Sequence, residues 1–178
     1  MRIALFVIVV AVILFLVPRF LSASHSVPTP GSAAPNFTLL SQESSSVSLS
    51  DFRNSLVVLY FYPRDQTPGC TREAHNFQVD QAKYAERHAV VLGVSVDSVD
   101  SHKKFCAKEG LNFKLLADSD GKVSSSYGSL TNLGVTRFAD RHTFLIDPDG
   151  KIAKTYTSVD PARHTEEVLA ALDHLQKQ

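Results

Sequence analysis

Leu56-Val57-Val58-Leu59-Tyr60-Phe61-Tyr62-Pro63-Arg64-Asp65-Gln66-Thr67-Pro68-Gly69-Cys70-Thr71-Arg72-Glu73 is the stretch on which the reading of this chain turns. Its first half is continuously apolar, β-branched or aromatic in part, which suits a buried central strand. Pro63 stops that strand. Thr67 is a good helix N-cap, and Pro68 suits the first helical position, where a missing N–H costs nothing. The pattern therefore predicts a strand, a short loop and a helix from about Pro68 to Arg87, on which Ala74, Phe77 and Tyr84 share a face. Cys70 falls in the first turn, where free backbone N–H groups and the positive end of the helix dipole favour a thiolate. A cysteine in that setting reads as a nucleophile before it reads as a packing residue.

Outward from this point the chain alternates strands and helices. Val90 to Val96 is a second buried strand. Ser98 to Glu109 is a helix with Ser98 as cap and Gly110 as stop. Thr143 to Ile146 is a third strand, Asp147-Pro148-Asp149-Gly150 a turn, and Lys151 to Tyr156 a returning fourth strand. A last helix begins near Pro161, with Val168, Leu172 and Leu175 at helical spacing and Leu169 alongside. Before the decisive stretch, Asn36 to Leu40 and Val47 to Leu49 read as a short hairpin or edge. The order predicts an α/β domain: a mixed central β-sheet flanked by helices on both faces.

The chain has 178 residues, 44% of them hydrophobic and 20% charged, enough for one domain with a small appendage. A formal net charge of zero gives no reason to expect a nucleic-acid partner. Two cysteines are too few for a disulfide scaffold or a zinc site, and the histidines lack ligand spacing. Asp147, Asp149 and Gly150 read as turn chemistry, and no Gly-rich phosphate loop is present. No metal and no cofactor are expected.

Residues 1–24 differ in kind. Met1 and Arg2 precede an unbroken apolar run from Ile3 to Val17, and Phe20 and Leu21 extend it towards a Ser-Ala-Ser segment. This reads as a signal peptide or an N-terminal membrane anchor through residues 3–21. Residues 25–34, rich in Ser, Pro, Ala and Gly, read as a linker, and 35–178 as the folded domain. The expected location is exported: periplasmic, or anchored to the membrane with the domain outside the cytoplasm.

A thiolate that attacks a peroxide O–O bond must be ionised, must hold the peroxide in line, and must have donors to meet the departing oxygen. Thr67 offers a hydroxyl within one turn of Cys70, and the Cys70 N–H is a further donor. Pro63 can cover one side and exclude water. The stretch lacks a fixed positive charge, for which an arginine is the natural choice.

Pro63-x-x-x-Thr67-x-x-Cys70 resembles the active-site signature of the peroxiredoxins. The longer run Phe61 to Ala74 resembles the peroxiredoxin Q branch, also called bacterioferritin comigratory protein. Ser101-His102-Lys103-Lys104-Phe105 and Arg141 to Ile152 also fit that pattern, so the resemblance covers the whole domain. It implies a thioredoxin-like fold and reduction of hydrogen peroxide and organic hydroperoxides. It makes Cys70 the peroxidatic cysteine, gives Thr67 and Arg141 the peroxide, and has Glu73 orient Arg141. Arg137 competes with Arg141, which the position just before the strand at Thr143 favours. Most members of the branch carry a resolving cysteine five residues after the first; here that position is His75. A smaller set places it on the next helix, where Cys106 stands. The resemblance thus implies a Cys70–Cys106 disulfide, a thioredoxin or thioredoxin-like reductant, and a monomer. From spacing alone, Cys106 could equally line a core stripe with Val99 and Phe105. A one-cysteine peroxidase served by an external thiol, a redox sensor and a thiol–disulfide oxidoreductase stay open as rivals. The last lacks the usual Cys-x-x-Cys.

Overall fold

A computed structural model describes residues 26–177. A hairpin of β1 (Thr38–Ser41) and β2 (Ser46–Ser48) leads through a 3-10 turn (Leu49–Phe52) into β3 (Leu56–Phe61). Helices α1 (Pro68–Val79) and α2 (Gln81–Glu86) follow, then β4 (Ala89–Ser95) and α3 (Val99–Glu109). Next come β5 (Lys114–Ala117), α4 (Lys122–Ser126), β6 (Leu130–Asn132) and β7 (Arg137–Ala139). The chain closes with β8 (Thr143–Ile146), β9 (Ile152–Tyr156) and α5 (His164–Leu175).

Seven strands form one mixed sheet in the order β2-β1-β5-β4-β3-β8-β9. β3 pairs in parallel with β4 and antiparallel with β8, so the stretch that ends at Pro63 is the centre of the sheet. Every residue of β3 is buried. Leu56, Val58 and Tyr60 share one core cluster with Cys70, Ala74 and Phe77 of α1, Tyr84 of α2, Phe105 and Cys106 of α3, and Val168 and Leu172 of α5. Val57, Leu59 and Phe61 share the other with Phe144, Ile146 and Tyr127, against which Val123 of α4 packs. The strand period of two thus sorts the core into two faces. The four longer helices cover one face, and the short α4 lies on the other.

The expected single helix over 68–87 is broken at Asp80, whose backbone (φ −94°, ψ 10°) is not helical. Aspartate is a poor helix-interior residue. The helix read at 98–109 has the caps its sequence predicts: Ser98 accepts from the Ser101 N–H, and Gly110 is left-handed at φ 66°. The sequence reading does not anticipate β5, α4, β6 or β7.

Residues 28–34, within the stretch read as a linker, lie along the outer edge of β9. The Gly31 N–H donates to the Ile152 carbonyl at 2.8 Å, Ile152 N–H to Ser32 at 2.8 Å, and Ala34 N–H to Gly150 at 3.0 Å. The Thr155 hydroxyl reaches the Pro28 carbonyl at 3.0 Å. An uncovered sheet edge is a template for unwanted pairing, and this strap occupies it. The ordered unit therefore begins before Pro35.

Among the described residues no helix is long and apolar enough to cross a membrane. The longest have 12 residues, about 18 Å at 1.5 Å per residue, against a hydrocarbon core of ~30 Å. The apolar segment 3–21 lies outside the described residues.

Candidate active site

The end of β3 builds the site. The Phe61 N–H donates to the His142 carbonyl at 2.8 Å, and Tyr62 N–H to Val94 at 3.1 Å, before Pro63 ends the pairing. Gln66 takes a left-handed backbone (φ 59°) that turns the chain into α1. Thr67 stands at the N-cap and Pro68 follows in the first turn. The Thr67 carbonyl accepts from Thr71 N–H at 2.8 Å, but its hydroxyl makes no cap bond. Instead it donates to the Arg64 carbonyl at 3.0 Å, which leaves its oxygen available as an acceptor.

Cys70 is buried, 2% exposed, in that first turn. Arg141 Nη2 donates to its Sγ at 3.2 Å, a bond that a thiolate accepts better than a thiol. Arg141 Nη1 donates to Glu73 Oε2. One guanidinium therefore bridges the sulfur and a carboxylate one turn along α1. The loop that carries Arg141 is pinned on both sides: Asp140 accepts from Thr131 Oγ1 at 2.7 Å, and the His142 carbonyl is held by β3. Arg137, the competing arginine, donates to the Ser119 carbonyl at 2.6 Å and has no part in this contact.

Glu73 is fully buried, with Oε1 unpartnered. Burial pushes its carboxyl up to about 7, although the adjacent Arg141 charge opposes this. Behind Arg141, His164 Nε2 lies 2.8 Å from Thr143 Oγ1. Burial, aided by the Arg141 charge, holds this imidazole down to about 4, so it is neutral. Pro63 is half-buried where β3 stops.

Cys106 is a free thiol like Cys70, 8% exposed on α3 within the same core cluster. Burial, with the charges of Asp65 and Glu43, pushes it up to about 12. His75 Nε2 contacts Glu109 Oε2 at 2.7 Å, and the Asn112 N–H donates to Gln78 Oε1 at 2.7 Å. Both contacts tie α1 to the end of α3, the two cysteine-bearing helices.

A buried network absent from the sequence reading lies between the loop before α1 and the start of α3. Asp65 accepts from the Tyr62 hydroxyl at 2.7 Å, the Ser101 hydroxyl at 2.7 Å and His102 Nδ1 at 2.9 Å. Its own N–H donates to Asp97 Oδ2 at 2.9 Å. The two runs that carry the resemblance, 61–74 and 101–105, meet here; nothing in either run alone signals the pairing.

Known proteins resemble the chain along this whole unit. Residues 30–155 match the AhpC/TSA family. Peroxiredoxin Q of the Sedum lineare chloroplast is 41% identical over 149 residues, 83% of this chain and 80% of its own. Peroxiredoxin Bcp of Bacillus subtilis is 38% identical over 151 residues, 83% of this chain and 96% of its own. A cysteine-to-serine mutant of PrxQ from Xylella fastidiosa superposes with a TM-score of 0.80 at 36% identity, over 85% of this chain and 99% of that one. The central mixed sheet with flanking helices is the thioredoxin-like fold of these neighbours. None of these relatives is described as exported or membrane-anchored, and the Sedum protein is chloroplastic. The expected periplasmic or anchored location is corrected accordingly and is not retained.

Proposed function

We infer, from the premise that this chain belongs to the AhpC/TSA family and is a thiol-dependent peroxidase of its peroxiredoxin Q/Bcp branch, how its residues divide the catalytic cycle. The Cys70 thiolate attacks the terminal oxygen of a peroxide. The O–O bond breaks, the departing oxygen leaves as water or alcohol after taking a proton, and Cys70 becomes a sulfenic acid. Arg141 holds the thiolate and meets the charge that grows on the oxygens. Glu73 fixes the guanidinium. The Thr67 oxygen accepts from the peroxide O–H, and Pro63 shields the first turn from water. The observation that carries this reading is the Arg141 bridge between Glu73 and Cys70 Sγ, at 3.2 Å from the sulfur.

Cys106 then attacks the sulfenic sulfur. An S–S bond forms, the S–O bond breaks and water leaves. A thioredoxin-type dithiol reduces the Cys70–Cys106 disulfide. The cycle closes within one chain, so a monomer suffices, and the unit that performs it is 35–178 with the edge strap before it. The test is thioredoxin-coupled peroxide consumption by wild type, Cys70→Ser and Cys106→Ser, with mass spectrometry after one equivalent of peroxide. Cys70→Ser is inactive on this reading. Cys106→Ser makes one turnover and stops as a sulfenic acid. A second reading, a one-cysteine peroxidase served by an external thiol, draws on the burial that pushes Cys106 up to about 12. Full thioredoxin-dependent turnover by Cys106→Ser would establish it instead.

A further inference from the structure

We propose that His102 accepts the proton of the Cys106 thiol during disulfide formation, and that Asp65 holds its imidazole in the tautomer this requires. The proposal rests on the reading of Cys106 as the resolving cysteine. His102 and Cys106 are four residues apart on α3 and both are buried, at 0% and 8% exposed. Residues at that spacing have Cβ atoms about 5–6 Å apart on one helix face. Helical side chains lean towards the N-terminus, so the Cys106 sulfur leans over the turn that carries His102.

Asp65 fixes which nitrogen is available. Burial opposes its charge, but hydrogen bonds from His102, Ser101 and Tyr62 outweigh this and hold Asp65 below the usual carboxylate range. A carboxylate only accepts, so His102 Nδ1, at 2.9 Å from Oδ2, carries a proton. In the neutral ring this tautomer leaves the lone pair on Nε2. That nitrogen is buried and has no hydrogen-bond partner. An ordinary core histidine has both ring nitrogens satisfied; this one has one side anchored and the other side free. The titratable groups around the ring are Asp65 and Tyr62, which bond it, Cys106 one turn on, and Tyr60, stacked on Tyr62 with its hydroxyl buried and unpartnered, with Asp97 a further bond away on the Asp65 N–H.

The thiol proton passes from Cys106 to His102 Nε2 as the sulfur attacks Cys70. The S–S bond forms and the Cys70 S–O bond breaks. The departing hydroxide takes the proton from Nε2 and leaves as water, and His102 returns neutral. With both thiols free no hydrogen bond joins Nε2 to the Cys106 sulfur, so the transfer requires the two to meet as Cys106 moves to attack.

The experiment adds one equivalent of hydrogen peroxide to the reduced full chain. It measures sulfenic-acid formation by competition with a second peroxidase, and disulfide formation by acid quench and alkylation, from pH 6 to 9. For His102→Gln the ratio of the disulfide rate to the sulfenic rate should fall at least tenfold at pH 7. The variant's disulfide rate should then climb about tenfold per pH unit, because only hydroxide remains to deprotonate a thiol. The wild-type profile should be much shallower. Unchanged ratio and profile in His102→Gln would overturn the proposal. Where that variant does not fold, Asp65→Asn is read by the same ratio. A wild-type rate that itself climbs tenfold per unit to pH 9 would overturn it without any variant. A wild type that forms no Cys70–Cys106 disulfide would instead remove the resolving role of Cys106.

Discussion

Replacing Arg141 by glutamine separates the two tasks assigned to its guanidinium. The chemical task is worth about 10²–10³ in rate, the usual loss when one preorganised donor is removed from a developing charge. The structural task depends on pH, and the sign follows from Glu73. Its carboxyl is raised from 4.5 to about 7 in the folded protein even beside Arg141. The native state therefore binds more protons than the unfolded chain between those values. Stability is present at low pH and is lost, by ~3 kcal/mol, as pH rises through the folded value. Without Arg141 the buried carboxyl rises further. At pH 5.5 it is protonated in wild type and variant alike, and the variant loses little more than two hydrogen bonds, ~1–2 kcal/mol. At pH 8.5 the variant holds a carboxyl that must either stay protonated against solvent or stand unpaired, at a cost of roughly 3–5 kcal/mol. Urea unfolding of Arg141→Gln should thus show a gap from wild type that widens with pH. Arg141→Gln/Glu73→Gln should recover the stability and none of the activity. A variant that consumes peroxide within tenfold of wild type, or a stability gap independent of pH, would refute the assignment.

Three further outcomes follow from the same geometry. Gly93→Ala should destabilise by about 1–3 kcal/mol, because a Cβ there would sit 2.6 Å from Leu115 Cδ2 and 2.8 Å from the Tyr60 ring; an unmoved urea midpoint would contradict this. His75→Ala removes the contact from α1 to Glu109 and should speed disulfide formation two- to threefold with little effect on unfolding, whereas a slower step would show that the clasp aligns the helices. His164 is lowered from 6.5 to about 4, so its stability is present above pH 6.5 and lost as pH falls towards 4, opposite in sign to Glu73. Glu73→Gln should therefore be more sensitive to acid than wild type between those limits, and a flat urea midpoint across them would exclude it.

The sequence is most legible where burial and backbone chemistry agree. β3, β4 and β8 are continuous apolar runs at the centre of the sheet, and such runs have few other uses. Helix α3 is bounded by a serine that caps and a glycine that turns left-handed. β5 is harder to see because it has only four residues, Lys114–Ala117, opens on a lysine and runs straight into Asp118-Ser119-Asp120. β6 and β7 bury little and form only a two-stranded ribbon. The strap at 28–34 has a linker's composition, and what orders it is the open edge of β9, a partner more than a hundred residues on. The Arg141–Cys70 contact and the Asp65–His102 pair share that character. Each joins residues whose types are suggestive but whose meeting is decided by the order of strands.

The same topology explains why the two sulfurs need different help. β3 delivers Cys70 to a helix start, with β8 beside it presenting Arg141 from the preceding loop, so the first thiol meets fixed positive charge. β4 delivers α3, and Cys106 lies in its final turns against the apolar face of the sheet, where burial, together with Asp65 and Glu43, disfavours a thiolate. On the proposed cycle this thiol, pushed up to about 12, acts as a nucleophile at neutral pH, which requires a base brought to it. The only imidazole on α3 is one turn away, anchored through one nitrogen and free at the other. Asp65, which anchors it, belongs to the loop that ends at Cys70. On the proposed cycle, one short segment therefore sets the first nucleophile directly and, through His102, governs the second.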